Sequence, residues 1–150
     1  LTKEFLEGKA LLGRLVAIIG GGLVGAEIAE MLADQGKEVM VVEQLDAVAI
    51  QAGFIVRKEL LKSLCDKGVK MLVNTKALAI TREGVLVERF GEKEMVKADS
   101  IILAIGYQAR NDLVKNLDVD QMEFYQIGDC IKPRQIMEAI EEGNRVGFAI

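Results

Sequence analysis

The residues best placed to do chemistry lie between Arg14 and Glu43, RLVAIIGGGLVGAEIAEMLADQGKEVMVVE. An apolar run ends at Gly20-Gly21-Gly22, and Gly25 follows three residues later. In a G-x-G-x-x-G turn the first glycine permits the tight bend and the second lets a pyrophosphate approach the backbone. The third lets helix and strand pack closely. The helix that follows turns unpaired N–H groups and a partial positive charge toward phosphate oxygens. Glu43, at the end of the next apolar run, lies near the roughly 20-residue spacing expected of a carboxylate that grips a ribose 2′-hydroxyl. A glycine turn that merely joins a strand to a helix is the bland alternative. The strand before it, the helix pattern through Ile28, Ala29, Met31 and Leu32, and the acid beyond all favour a dinucleotide site.

The elements that must position these residues follow from the apolar pattern. Leu15–Ile19 and Val39–Val42 read as strands flanking a helix, with a turn at Gln35-Gly36-Lys37. Residues 54–67 form a second amphipathic helix with Ile55, Leu60, Leu61 and Leu64 inward, stopped by Gly68. Cys65 on that helix is expected in the core. A third strand follows at 69–73, so two βα units with right-handed crossovers make a parallel sheet. Three short strands come next, at 78–81, 85–89 and 94–97, joined by hairpin-like turns. Residues 101–104 read as a buried strand that ends at Ala104-Ile105-Gly106, on the same sheet edge as the first glycine turn. Gly106 then serves either a ligand crossing the backbone or a turn, and both readings stand. The fold expected is α/β and Rossmann-like, in three layers: a parallel central sheet, helices on one face and a three-stranded antiparallel meander on the other. A strand at 124–127 and a helix over 134–149, opened by Pro133, complete the chain. Ile136, Met137, Ile140 and Val146 share one side of that helix.

Bulk composition narrows the function classes. The 150 residues are 51% apolar and 28% charged, which is a globular composition. A net charge of −4 without a basic cluster argues against nucleic acid or an anionic membrane as partner. Apolar stretches are broken by glycine well short of the about 20 residues of a membrane span. Cys65 and Cys130 stand in no CxxC spacing, so neither a disulfide scaffold nor a metal site is indicated, and a cytoplasmic setting is expected. Histidine is absent, which removes the commonest general base and metal ligand. Chemistry must come mainly from a bound cofactor, and no catalytic residue is assigned. The chain opens on Leu1 and is expected to be a piece of a longer protein.

Four stretches carry a family resemblance: GGGLVGAE at 20–27, the meander, ADSIILAIGYQARN at 98–111 and FYQIGDC at 124–130. Together they resemble the pyridine nucleotide–disulfide oxidoreductase superfamily. GDCIKPRQIMEAIEEGNRVG at 128–147 is similar to its branch in the NADH:flavin oxidoreductases related to old yellow enzyme, such as 2-enoate reductase, 2,4-dienoyl-CoA reductase and NADH oxidase-like enzymes. The resemblance implies that residues 1–117 are an NAD(H)-binding domain inserted into a flavin-binding domain, with 118–150 the start of the return. It implies that Asp129 holds the ribityl chain of FAD and that the helix after Pro133 points at the flavin. Within these 150 residues the flavin domain's own GxGxxG, the FMN barrel and the Cys-rich iron–sulfur segment are absent. The threonine that often precedes the GD motif is replaced around Val119. FAD is therefore expected in the full-length protein and not on this chain alone.

The expected dinucleotide contacts are Gly20, Gly22, Leu23, Val24, Gly25, Glu27, Glu43, Gln44, Ala104, Ile105 and Gly106, with Asp129 toward the flavin. Glu27 either complements the helix dipole or, as the resemblance implies, lies near the nicotinamide. Glu43 favours NAD over NADP, because a carboxylate repels a 2′-phosphate and Gln44-Leu45-Asp46 supply no arginine. Cys130 lacks the CxxxxC partner of the redox-active disulfide enzymes and is expected to be inert. The chain is expected to present NADH to a flavin held elsewhere, binding without turnover by itself. A non-catalytic NAD(H)-sensing module remains the alternative; an S-adenosylmethionine-dependent methyltransferase fits the glycine spacing and the meander less well. The helix after Pro133 is expected to fold back on the sheet or to pair in a homodimer.

Overall fold

The computed structural model describes residues 11–115, 117 and 123–150, in two compact units that divide between Ile105 and Gly106. The first unit has the expected three layers. Four parallel strands lie in the order β3 (Lys70–Leu72), β2 (Glu38–Val42), β1 (Leu15–Ile19), β7 (Ser100–Leu103). Ile19 pairs with Val42 on one side and Leu103 on the other, so the three strands end together. Val16, Ala17 and Ile18 are fully buried, as a strand covered on both faces must be. Strand order reverses beside β1, and in open α/β sheets ligands bind outside the strands' carboxyl ends at such a reversal.

Two helices cover one face: α1 (Leu23–Asp34) and α2 (Phe54–Asp66). Ile28, Leu32, Leu60 and Leu64 pack with Val16, Ile18, Val41 and Ile102 in one cluster. Each large side chain buried in this way contributes about 1.5–3 kcal/mol. Both helices end on glycines in the left-handed region, Gly36 (φ 75°) and Gly68 (φ 74°), whose turns return an N–H to a carbonyl of the last turn. Polar groups join the two helices as well. Lys67 pairs with Asp34 at 2.8 Å and Glu30 at 3.2 Å, and the Ser63 hydroxyl donates to Glu30. The Ser63 hydrogen bond, then Lys67, holds the Glu30 carboxyl below its usual range.

The meander covers the other face: β4 (Thr75–Ile80), β5 (Gly84–Arg89) and β6 (Glu92–Lys97). Val85, Val87 and Val96 pack on Ala17 and Val42 from that side. Phe90 (φ 52°) and Gly91 (φ 84°) form the two-residue β5–β6 hairpin turn, both left-handed as the twist of paired strands favours.

Four expectations fail in detail. Ile55 is 74% exposed and Cys65 is also exposed, because only Leu60 and Leu64 of α2 are buried. The run 124–127 is not a strand and belongs to neither sheet; β-branched and aromatic residues make a strand only where a neighbour completes the ladder. The last helix begins at Ile136, after a Gln135–Glu138 capping box, not at Arg134.

The second unit contains the short helix α3 (Asp112–Lys115), a 3-10 turn at Gly128–Cys130 and α4 (Ile136–Ala149). Glu142 of α4 accepts the Gly128 N–H at 2.7 Å and pairs with Arg134, and these contacts hold its carboxyl below the usual range. No residue of α4 is buried, and Ile136, Met137 and Ile140 all face solvent. The position around Val119 lies outside the described residues.

Candidate functional site

The glycine turn sits where β1 passes into α1, at the carboxyl edge of the sheet. Gly20 has φ 103°, and a side chain there would collide with the Ala104 carbonyl. The turn is tied to both neighbouring strands: Gly20 N–H donates to Val42 O at 2.9 Å, and Ala104 N–H donates to Ile19 O at 2.7 Å. A Cβ on Gly25 would strike the Gly20 carbonyl oxygen and come within 3.3 Å of Ala104 Cβ. That is the close helix–strand approach for which the third motif glycine is needed. At Gly22, by contrast, a Cβ would meet only Gln51 Oε1, at 3.7 Å. Gly22 is the N-cap of α1 and brings no side-chain oxygen to the helix's first N–H groups. The open approach at Gly22 and the uncapped amides beside it fit a dinucleotide pyrophosphate.

Glu43 follows β2 and is 7% exposed. Oε2 accepts the Gly21 N–H at 2.6 Å and Oε1 accepts the Leu45 N–H at 2.8 Å. Its own N–H donates to Leu72 O, and its carbonyl accepts the Thr75 N–H. The acid is thus fixed to the glycine turn before any ligand arrives, with lone pairs remaining on both oxygens. Gly21, which the G-x-G-x-x-G pattern leaves free, proves constrained as Gly20 is, and more so than Gly22. A Cβ there would lie 2.9 Å from Glu43 Cβ. The signal was available as a third consecutive glycine where the motif asks for two.

The structure brings Gly20, Gly22, Gly25, Glu43, Ala104 and Ile105 to one edge of the first unit. Leu23 is half-buried; Val24, Glu27 and Gln44 are exposed on the same segments. Gly106 (φ 85°, exposed) and Asp129 belong to the second unit. There Asp129 accepts the Arg134 N–H at 3.2 Å and borders an open groove of about 360 Å³ with Gln135, Ile136 and Ile140. Cys130 Sγ donates to Ile127 O at 2.8 Å. Among the described residues no cluster of His, Cys, Asp or Glu could hold a metal ion, and no helix is long and apolar enough to cross a membrane.

Comparison with known proteins decides the family. Residues 2–143 match the profile of the pyridine nucleotide-disulphide oxidoreductase family. The chain belongs to that family. Its first unit is the family's NAD(H)-binding Rossmann domain. Among curated relatives, a metal reductase of Desulforamulus reducens is 31% identical over 93% of this chain and 25% of its own length. A bilirubin reductase of Mediterraneibacter gnavus is 38% identical over 87% of this chain and 20% of its own. The solved structure of a 2-naphthoyl-CoA reductase in complex with 2-naphthoyl-CoA superposes with a TM-score of 0.85 at 31% identity, covering 99% of this chain and 23% of that one. The family member thus spans about a fifth to a quarter of the length of these relatives.

Proposed function

We propose that this chain is the NADH-binding part of an NADH:flavin oxidoreductase of the branch related to old yellow enzyme. It presents the nicotinamide to a flavin held by another part of the protein. The nucleotide-binding domain extends to about residue 117, and 118–150 begin the return into the flavin domain. Names among the relatives accord with reductive chemistry: metal reductase, bilirubin reductase, NADH oxidase and cinnamate reductase. The observation that carries the reading is the pairing of an open glycine turn with a buried carboxylate 2.6 Å from its middle amide.

NADH supplies a hydride from its nicotinamide ring, and the protein contributes position and electrostatics. Gly22, Leu23 and Val24 offer backbone N–H groups to the pyrophosphate at the positive end of α1. Glu43 accepts hydrogen bonds from the adenosine ribose and disfavours a 2′-phosphate; exposed Gln44 lies beside it. Ala104, Ile105 and Gly106 pass beside the bound dinucleotide. Glu27 stands toward the nicotinamide end. Asp129 contributes to a flavin site that other parts of the protein complete.

The test is calorimetric titration of the chain with NADH, NADPH and FAD, with a dye-reduction assay alongside. The expected result is binding of NADH in preference to NADPH, no retained FAD, and no dye reduction without an added flavoprotein. A chain that binds NADPH as tightly as NADH, or that reduces the dye alone, would overturn the proposal.

A further inference from the structure

The connection between β2 and α2 makes more contacts with the glycine turn than joining two elements requires. Both polar groups of the Gly21 peptide are engaged by it. The N–H donates to Glu43, and the carbonyl accepts the Ala49 N–H at 2.7 Å. Ala49 is fully buried and holds φ 54°, a left-handed conformation that carries a steric cost for any residue with a Cβ. Such conformations persist where surrounding contacts over-determine them. Here the Ala49 carbonyl accepts the Ala52 N–H at 3.0 Å, and Arg57 Nε donates to the carbonyl of the preceding residue, Val48, at 2.9 Å. Val48 is itself 2% exposed. The arrangement is a strap, anchored by Glu43 at one end and by Arg57 from the first turns of α2 at the other.

We infer that Ala49 and Arg57 are positioning residues for dinucleotide binding, acting through the Gly21 peptide to hold the glycine turn in its binding shape. The inference rests on the proposed nucleotide site and adds residues to it. It also assigns the phosphates to amides other than Gly21, whose N–H already has a buried carboxylate as acceptor. Loss of the Arg57 contact frees Val48, then Ala49 and its bond to Gly21 O. The turn then samples shapes in which the amides at 22–24 no longer converge.

The experiment uses the full chain with Arg57→Met and Arg57→Lys, read by NADH titration, melting temperature and exchange of the Ala49 amide, the donor to Gly21 O. Methionine fills similar volume without a donor, whereas lysine restores one. Arg57→Met should weaken NADH about tenfold and speed Ala49 exchange, while Arg57→Lys should recover most of the affinity. A merely structural arginine would lower the melting temperature without that pattern. Wild-type affinity and unchanged Ala49 exchange in Arg57→Met would overturn the inference. If Arg57→Met fails to fold, Arg57→Lys and the wild type decide it: an Ala49 amide that exchanges in the wild type like an exposed one refutes the strap. If wild-type chain binds no NADH, the nucleotide reading fails and Ala49 exchange alone decides the positioning role. Faster exchange in Arg57→Met then supports the strap, and equal exchange refutes it.

Discussion

Replacing Gly25 by alanine tests the reasoning at the site most directly. The added Cβ has nowhere to go, because the Gly20 carbonyl oxygen occupies its position and Ala104 Cβ lies 3.3 Å away. Both obstacles belong to the sheet edge, so relief requires α1 to move off β1 and β7. Overpacking of this kind costs about 1–3 kcal/mol, and a backbone collision that no rotamer relieves belongs at the upper end. Alanine's helix propensity returns at most about 1 kcal/mol. The net is about 2 kcal/mol, or a fall of roughly 8 °C or more in melting temperature for a unit of this size. NADH affinity should fall at least about tenfold as the amides of the first turn swing away from the phosphates. Gly147→Ala in α4 is the control: nothing lies within 4 Å of its Cβ, so it should stabilise by about 0.5–1 kcal/mol. Calorimetric scans and NADH titrations of both variants decide the matter. A Gly25→Ala chain that melts at or above the wild type and binds NADH equally would refute the close-packing account.

Leu32→Ala removes a fully buried side chain from the helix-side cluster and should cost about 2–5 kcal/mol in urea unfolding of the first unit. Gly68→Ala places a Cβ in open space at φ 74°, so only backbone strain is felt; the expected loss is about 1–2 kcal/mol by the same measurement. In the second unit, Arg134 and then the Gly128 N–H hold the Glu142 carboxyl below its ordinary value of 4.5. A depressed folded value means that the contribution is complete above 4.5 and lost as pH falls through the lower folded value. The Gly128 amide resonance should therefore move in acid below that point, and should stay still in Glu142→Gln.

The three-layer plan was legible because each layer has its own sequence period. The continuous apolar runs 15–19 and 39–42 mark strands covered on both faces; Ile28, Leu32, Leu60 and Leu64 keep helical spacing; the meander alternates about its glycine turns. What failed was burial that depends on a neighbour. Ile55 and Cys65 fit the apolar stripe of α2, yet the helix offers the core only Leu60 and Leu64. Residues 124–127 have strand composition, yet among the described residues they pair with no strand. At the site, the glycines and the acid were readable because the motif fixes their offsets. The Gly21–Ala49–Arg57 contacts were not, since an alanine with positive φ and an arginine bonded to a carbonyl leave no spacing to read.

The same contacts change what a cofactor-preference mutation should do. From charge alone, Glu43→Arg ought to weaken NADH binding and welcome a 2′-phosphate. But arginine has no acceptor, and Glu43 accepts two backbone N–H groups in a site that is 7% exposed. Stranding the Gly21 and Leu45 amides costs roughly 1–3 kcal/mol each. The expected outcome is loss of NADH binding with no gain of NADPH affinity, accompanied by a lower melting temperature. Glu43→Gln keeps one acceptor and the shape of the side chain, so it should lose less stability than arginine while still narrowing the preference for NADH. Titration of both variants with both nucleotides, set beside their melting curves, separates the two accounts. An arginine variant that binds NADPH more tightly than the wild type does would mean that the carboxylate reads only the ribose and that the glycine turn stands without it.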